Sequence, residues 1–149
     1  MKVAILGKKP TKLKAPFNDK SWEIWSINKT EDLPRCDKWF DLHFEPKESD
    51  IKRANYPFKA IEDMLGGHYF NNTISYVIAY AIYKGYTEIA LYGMAFNTPL
   101  ERKIKQYENV RELIFFAKGK GIKVTAPYDE IMLQEYPQYT KEFVKNRGY

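Results

Sequence analysis

Apolar residues fall along the chain in short runs that alternate with longer amphipathic stretches. Val3 to Leu6 is an unbroken apolar run that ends at Gly7-Lys8-Lys9-Pro10-Thr11, where glycine and proline both interrupt regular structure. It reads as a buried strand followed by a loop. Glu23 to Ile27 and Lys38 to His43 are rich in aromatic and β-branched residues and are separated by a turn containing Pro34, so both are predicted strands. Residues 44–58 are polar and carry Pro46 and Pro57, which predicts a long loop with a helical turn around Ser49 to Ala54. Ile74, Val77, Ile78, Ala81 and Ile82 then recur at helical spacing, which predicts a helix over 73–84 capped by Asn71 or Asn72 and stopped at Gly85. Glu88 to Tyr92 predicts a strand broken at Gly93. A second long helix is expected from Pro99 to Lys118, with Leu100, Ile104, Tyr107, Ile114 and Ala117 on its inner face, and Ile122 to Thr125 is the fifth strand. Residues 129–147 read as short helices interrupted by Pro137.

Apolar strands alternating with helices imply an α/β fold, a parallel sheet covered on both faces with right-handed crossovers. The expectation is a Rossmann-like three-layer sandwich of about five mostly parallel strands in the order 3-2-1-4-5. Its 149 residues suit a single unit, with 1–127 as the Rossmann-like domain and 128–149 as a C-terminal helical extension packed on it. The longest apolar stretch, Ile74 to Tyr83, is well short of the ~20 residues that span a bilayer, and the basic N-terminus leads directly into a strand-like segment. A cytoplasmic protein with no membrane partner is therefore expected. The single cysteine, Cys36, and two widely separated histidines give no metal-ligand spacing, so neither a metal nor a permanently bound cofactor is expected.

Charge sharpens the picture. Residues 1–20 hold Lys2, Lys8, Lys9, Lys12, Lys14 and Lys20 against the one acid Asp19, which is the whole net charge of +5, since the remaining 18 basic and 18 acidic residues cancel. A cluster confined to the first loop suits a compact anion such as phosphate better than an extended nucleic acid, although a solvated lysine-rich loop has the same composition.

In an open α/β sheet a ligand lies outside the carboxyl ends of the strands, at the point where strand order reverses. That rule selects Gly7, Lys8, Lys9, Pro10 and Thr11 after the first strand, Asn28 after the second, His43 after the third, and Gly93 with Phe96 after the fourth. Asn71, Asn72 and Thr73, at the start of the first long helix, face the same rim. Gly7 with its lysines serves as a phosphate loop or as a plain turn, and neither a dinucleotide fingerprint nor a Walker loop is present. Asn71 and Asn72 serve as caps or as ligand contacts. His43 would share a strand face with Asp41, an arrangement that fits a catalytic pair as well as a structural contact. Cys36 has only Arg35 as a cationic neighbour and is not expected to be a reactive thiolate.

The segments running from Met1 to Thr11, Trp22 to Asn28, Trp39 to His43, Tyr69 to Tyr76, Gly85 to Gly93 and Gly119 to Val124 resemble a group of small bacteriophage proteins over roughly residues 1–127. More distantly, the glycine-proline-hydroxyl loop, the strand-end asparagine and the helix followed by Gly85-Tyr86-Thr87-Glu88-Ile89 are similar to bacterial sialyltransferases that use a cytidine nucleotide sugar. That resemblance implies a nucleotide at the strand ends, with Gly7, Pro10, Thr11 and Asn28 on the binding side. Two features depart from it: Gly93-Met94-Ala95-Phe96 lacks the family's acidic residue after the glycine, and no histidine follows His68.

The leading expectation is a small phage-type protein that binds a phosphorylated small molecule such as a nucleotide or nucleotide sugar. Main-chain N–H groups with Lys8 or Lys9 would hold phosphate, while Asn28, Asn72 and Phe96 or Tyr92 would hold ribose and base. A glycosyl- or nucleotidyl-transferase using Asp41, Glu45 or Glu101 is the alternative. An interaction module for nucleic acid or a host protein is the second, and a homo-oligomer is compatible with each.

Overall fold

The computed structural model describes residues 1–27, 32–67, 70–94 and 101–128, with the side chains of 101–103 excepted. Five strands form one parallel sheet: β1 (Lys2–Leu6), β2 (Trp22–Ile27), β3 (Lys38–Phe40), β4 (Glu88–Tyr92) and β5 (Lys123–Thr125), in the spatial order β3-β2-β1-β4-β5. This is the order expected from the alternation of strands and helices. Three helices accompany them, α1 (Phe58–Leu65), α2 (Thr73–Tyr83) and α3 (Glu101–Gly119), and a 3-10 turn spans Pro10–Lys14.

Both sheet faces are covered, but unequally. With right-handed crossovers, the strand order places the β1–β2 and β2–β3 connections over one face and the β3–β4 and β4–β5 connections over the other. The second pair carries the α-helices. Val3, Ile5, Trp25, Ile27, Phe40, Ile89 and Leu91 alternate onto that face and pack under α2 and α3. Trp25 is its centre: it is fully buried, it meets Phe40, Tyr80 and Tyr86 at ring-centroid distances of 5.2, 5.6 and 4.9 Å, and its indole N–H donates to Glu23 at 2.8 Å. The opposite face carries Ala4, Leu6, Ile24, Ala90 and Tyr92, with Trp22 at the start of β2 packed against them, and is closed by Ala15, Phe17 and Leu33 from the connections. Arg35 fastens this side: it donates to the carbonyls of Phe17 (2.9 Å) and Trp22 and pairs with Asp37, whose carboxylate accepts the Ile24 N–H at 2.7 Å.

Three features differ from the sequence expectations. β3 stops at Phe40 rather than His43, because Asp41 bends away and its N–H pairs with the Ile51 carbonyl at 3.0 Å. α1 occupies a stretch that the hydrophobic pattern left between a loop and the next helix; it buries Ile61, with Met64 and Leu65 against the same core, and ends at Gly66, whose φ of 82° is a left-handed cap. In α3 the core positions are Val110, Leu113, Ile114 and Ala117, while Ile104 is 49% exposed. At ~3.6 residues per turn it lies about a third of a turn off the line through Val110. The expected C-terminal extension, 128–149, lies outside the described residues apart from Tyr128.

Replacing Trp25 with Ala removes the largest side chain of the helix-covered core and is expected to cost about 3–5 kcal/mol in a denaturant-unfolding measurement. A loss below ~1 kcal/mol would show that the sheet does not depend on this packing.

Candidate functional site at the carboxyl edge of the sheet

Strand order reverses between β1 and β4, and there the two chains approach more closely than side chains permit. The Gly7 N–H donates to the Tyr92 carbonyl at 2.7 Å and the Lys9 N–H to the Gly93 carbonyl at 3.0 Å. A Cβ on Gly7 would sit 2.3 Å from the Gly93 carbonyl oxygen. Gly93 itself has φ 69°, and a Cβ there would lie 2.8 Å from the Lys9 carbonyl oxygen and 2.9 Å from the Lys12 Cβ. Two glycines are therefore needed at this junction for backbone reasons. The pairing also corrects one expectation: the N–H groups of Gly7 and Lys9 are committed to β4 and are not available to phosphate.

The loop then tightens into the Pro10–Lys14 turn, with the proline in its first turn and the Lys12 N–H on the Lys9 carbonyl at 3.0 Å. Lys8 and Pro10 are exposed and Lys9 is half-buried. The Thr11 hydroxyl oxygen is buried and has no hydrogen-bond partner. Buried hydroxyls are ordinarily satisfied, so this one is a polar group left over beside the Gly7–Gly93 junction.

Asn71, Asn72 and Thr73 stand at the start of α2, as expected, but their polar groups are occupied. Asn72 is the cap: its side-chain oxygen accepts the Ser75 N–H at 2.9 Å, and its amide donates to the Ser75 hydroxyl at 2.8 Å and to the Asn71 side chain at 2.9 Å. The Asn71 N–H reaches the side-chain oxygen of Asn109 in α3 at 3.3 Å. Asn109 was not singled out in the sequence, where nothing separates it from the other polar residues of its helix. Thr73 is buried in the first turn. This cluster fastens α2 to α3.

At the end of β3 the expected Asp41–His43 pair is not formed side chain to side chain. Asp41 is buried and one of its carboxylate oxygens accepts the backbone N–H groups of His43 (3.1 Å), Phe44 (2.9 Å) and Glu45 (3.4 Å), while the His43 side chain is exposed. A strand would have put Asp41 and His43 on one face; the turn at Asp41 abolishes that alternation. Glu45 adopts φ 49° and its carboxylate receives both the backbone N–H (3.0 Å) and the guanidinium (2.7 Å) of Arg53. The Arg53 hydrogen bond holds the Glu45 carboxyl below its ordinary range.

Tyr92 belongs to the smaller core, with its ring centroid 6.1 Å from that of Tyr128, and burial pushes its phenol up. Burial likewise raises the Cys36 thiol, whose sulfur donates to the Lys38 carbonyl at 3.3 Å. Asn28 and Phe96 lie outside the described residues. Among the described residues no three His, Cys, Asp or Glu side chains come together to hold a metal ion, and no helix is long and apolar enough to cross a membrane.

No protein-family model and no curated protein matches the chain. Solved structures do. The sialyltransferase CST-II, in complex with a trisaccharide acceptor and CMP, is similar at a TM-score of 0.52 and 18% identity over 85% of this chain and 80% of that one. CstII from Campylobacter jejuni, in complex with the substrate analogue cytidine-5'-monophosphate, is similar at a TM-score of 0.51 and 18% identity over 99% of this chain and 98% of that one. The chain thus has the α/β fold of these glycosyltransferases.

Two substitutions separate backbone from side-chain roles here. Gly7→Ala is expected to cost about 3 kcal/mol, because the new methyl meets the Gly93–Met94 backbone, which cannot swing aside as a side chain could. Asn72→Ala is expected to cost about 1 kcal/mol, most of it recovered in Asn72→Ser, which restores a cap. Urea titrations check both; a Gly7→Ala protein as stable as the wild type would remove the close junction from the account.

Proposed function

We propose that the protein binds a nucleotide or nucleotide sugar, with the phosphate at the carboxyl ends of β1 and β4. The observation that carries this reading is the buried, unpartnered Thr11 hydroxyl beside the Gly7–Gly93 junction, at the position where α/β sheets take their ligands. Gly7, Pro10 and Gly93 shape the loop, Thr11 donates a hydrogen bond to a phosphate oxygen, and Lys8 and Lys9 supply charge. Asn28 and Phe96 complete the proposed set. Asn71, Asn72 and Thr73 bound the site as scaffold. The fold shared with CMP-bound sialyltransferases supports the nucleotide.

Glycosyl transfer is the second reading, supported by the activity of those structural neighbours. Binding is favoured over it by one observation: the Asp41 oxygen that would orient His43 is already engaged by three backbone N–H groups.

Calorimetric titration with CMP, a CMP-sugar, ribose 5-phosphate and inorganic phosphate tests the reading. Thr11→Val is the informative variant. Removing an unpartnered buried hydroxyl relieves a cost of about 1–3 kcal/mol, so the ligand-free variant should be at least as stable as the wild type while binding CMP more weakly. Lys8→Ala with Lys9→Ala should weaken phosphorylated ligands by about 1.5–3 kcal/mol per charge-assisted bond lost, with little change in melting temperature. A wild-type protein indifferent to all four compounds refutes the proposal.

A further inference from the structure

We infer that Phe44 is the surface on which the base of the bound nucleotide stacks, and that Asp41 is the positioning residue that holds it there. This rests on the nucleotide reading above and adds to it a direction along the sheet and a chemical class of contact.

The direction follows from strand register. Phe40, the last residue of β3, pairs with Ile27, one step beyond the Ser26–Leu6 pair, so β3 ends level with Gly7. Thr125, the last residue of β5, pairs with Ala90, which pairs with Ala4. β5 therefore stops three residues below the rim, about 10 Å at ~3.3 Å per residue. Among the described residues, a ligand anchored by phosphate between the ends of β1 and β4 finds further strand ends at its level on the β2 and β3 side. β3 lies two strands from β1, about 10 Å at ~4.8 Å per strand, which is comparable to the reach of a nucleoside monophosphate from phosphate to base.

Four residues past the end of β3 is a fixed turn carrying an exposed ring. Phe44 is 88% exposed, the largest exposure among the large hydrophobic side chains described. A single exposed apolar residue needs no explanation by itself. This one is held out by specific structure on both sides: its own N–H and those of its two neighbours converge on one oxygen of the buried Asp41, and the next residue, Glu45, is locked in a left-handed conformation and pinned twice to Arg53. The backbone that carries the ring needs little further ordering when a ligand binds. Planar π-systems are its natural complement, and base-on-ring stacking accepts every base because each has a π-face.

The test compares two ligands that differ by the base. Phe44→Ala is expected to weaken CMP by about tenfold or more in calorimetry while leaving ribose 5-phosphate within twofold, and Phe44→Trp to retain CMP affinity and show indole quenching with CMP that ribose 5-phosphate does not produce. Asp41→Ala should reproduce the loss for CMP and add nothing in the Phe44→Ala background, whereas Asp41→Asn, which keeps an acceptor oxygen, should bind normally. If Phe44→Ala binds CMP as the wild type does, the stacking role is wrong and the nucleotide reading stands. If the wild type binds neither compound, both fall.

Discussion

The contact between Gly7 and Gly93 sets the geometry of the whole carboxyl edge. β1 and β4 are neighbours whose pairing continues one step past the strands proper, through Gly7 to the Tyr92 carbonyl and Lys9 to the Gly93 carbonyl. Because neither residue has a Cβ, the first loop can lie against the end of β4 instead of arching over it. From that point the Pro10–Lys14 turn is placed, and with it the buried Thr11 hydroxyl and the lysine cluster. The same pairing determines what the edge cannot do, since it uses two N–H groups that would otherwise face an anion. Polar side chains of the loop, rather than those amides, are what remains for a phosphate.

Around that junction the fold is asymmetric for a topological reason. Right-handed crossovers in the order 3-2-1-4-5 put the long helical connections on one face and leave the other to short irregular ones. The helical face has the aromatic core around Trp25. The other face is thinner and relies on directed polar contacts, chiefly the Arg35 guanidinium reaching two carbonyls and Asp37. Strand register adds a second asymmetry: β5 ends low and β3 ends at the rim, which gives the edge a preferred direction.

The strands and their order were legible because buried parallel strands are nearly continuous apolar runs and the alternation with helices leaves few topologies. The Asn72 cap and the Gly85 stop were equally plain, since each solves a local hydrogen-bonding or steric problem that the sequence itself poses. Two things were hidden. The end of β3 looked longer because Asp41 and His43 fit an alternating pattern, and no local signal told that the Asp41 carboxylate would be buried and would capture three backbone N–H groups. The position of Ile104 was misjudged because α3 offers more apolar residues than its inner face can hold, so spacing alone did not select among them. For α1 a signal exists, a proline before and a Gly-Gly pair after Ile61 and Leu65 at i and i+4, but eight residues with so few core positions do not stand out as a helix by periodicity. Gly7 was placed correctly at the switch point, yet its long-range partner, Gly93, emerges only when the strands are paired.

The central claim is that the carboxyl edge between β3 and β4 is where this fold meets a nucleotide. The most direct measurement is a titration of the isotopically labelled protein with CMP, followed through its backbone amide resonances. The account expects concentration-dependent shifts confined to residues 7–14, 41–45 and 93–94, with the amino edge at Lys2, Glu88 and Lys123 unmoved. Shifts centred on the amino edge or on the outer face of α3, or none at millimolar CMP, would contradict it.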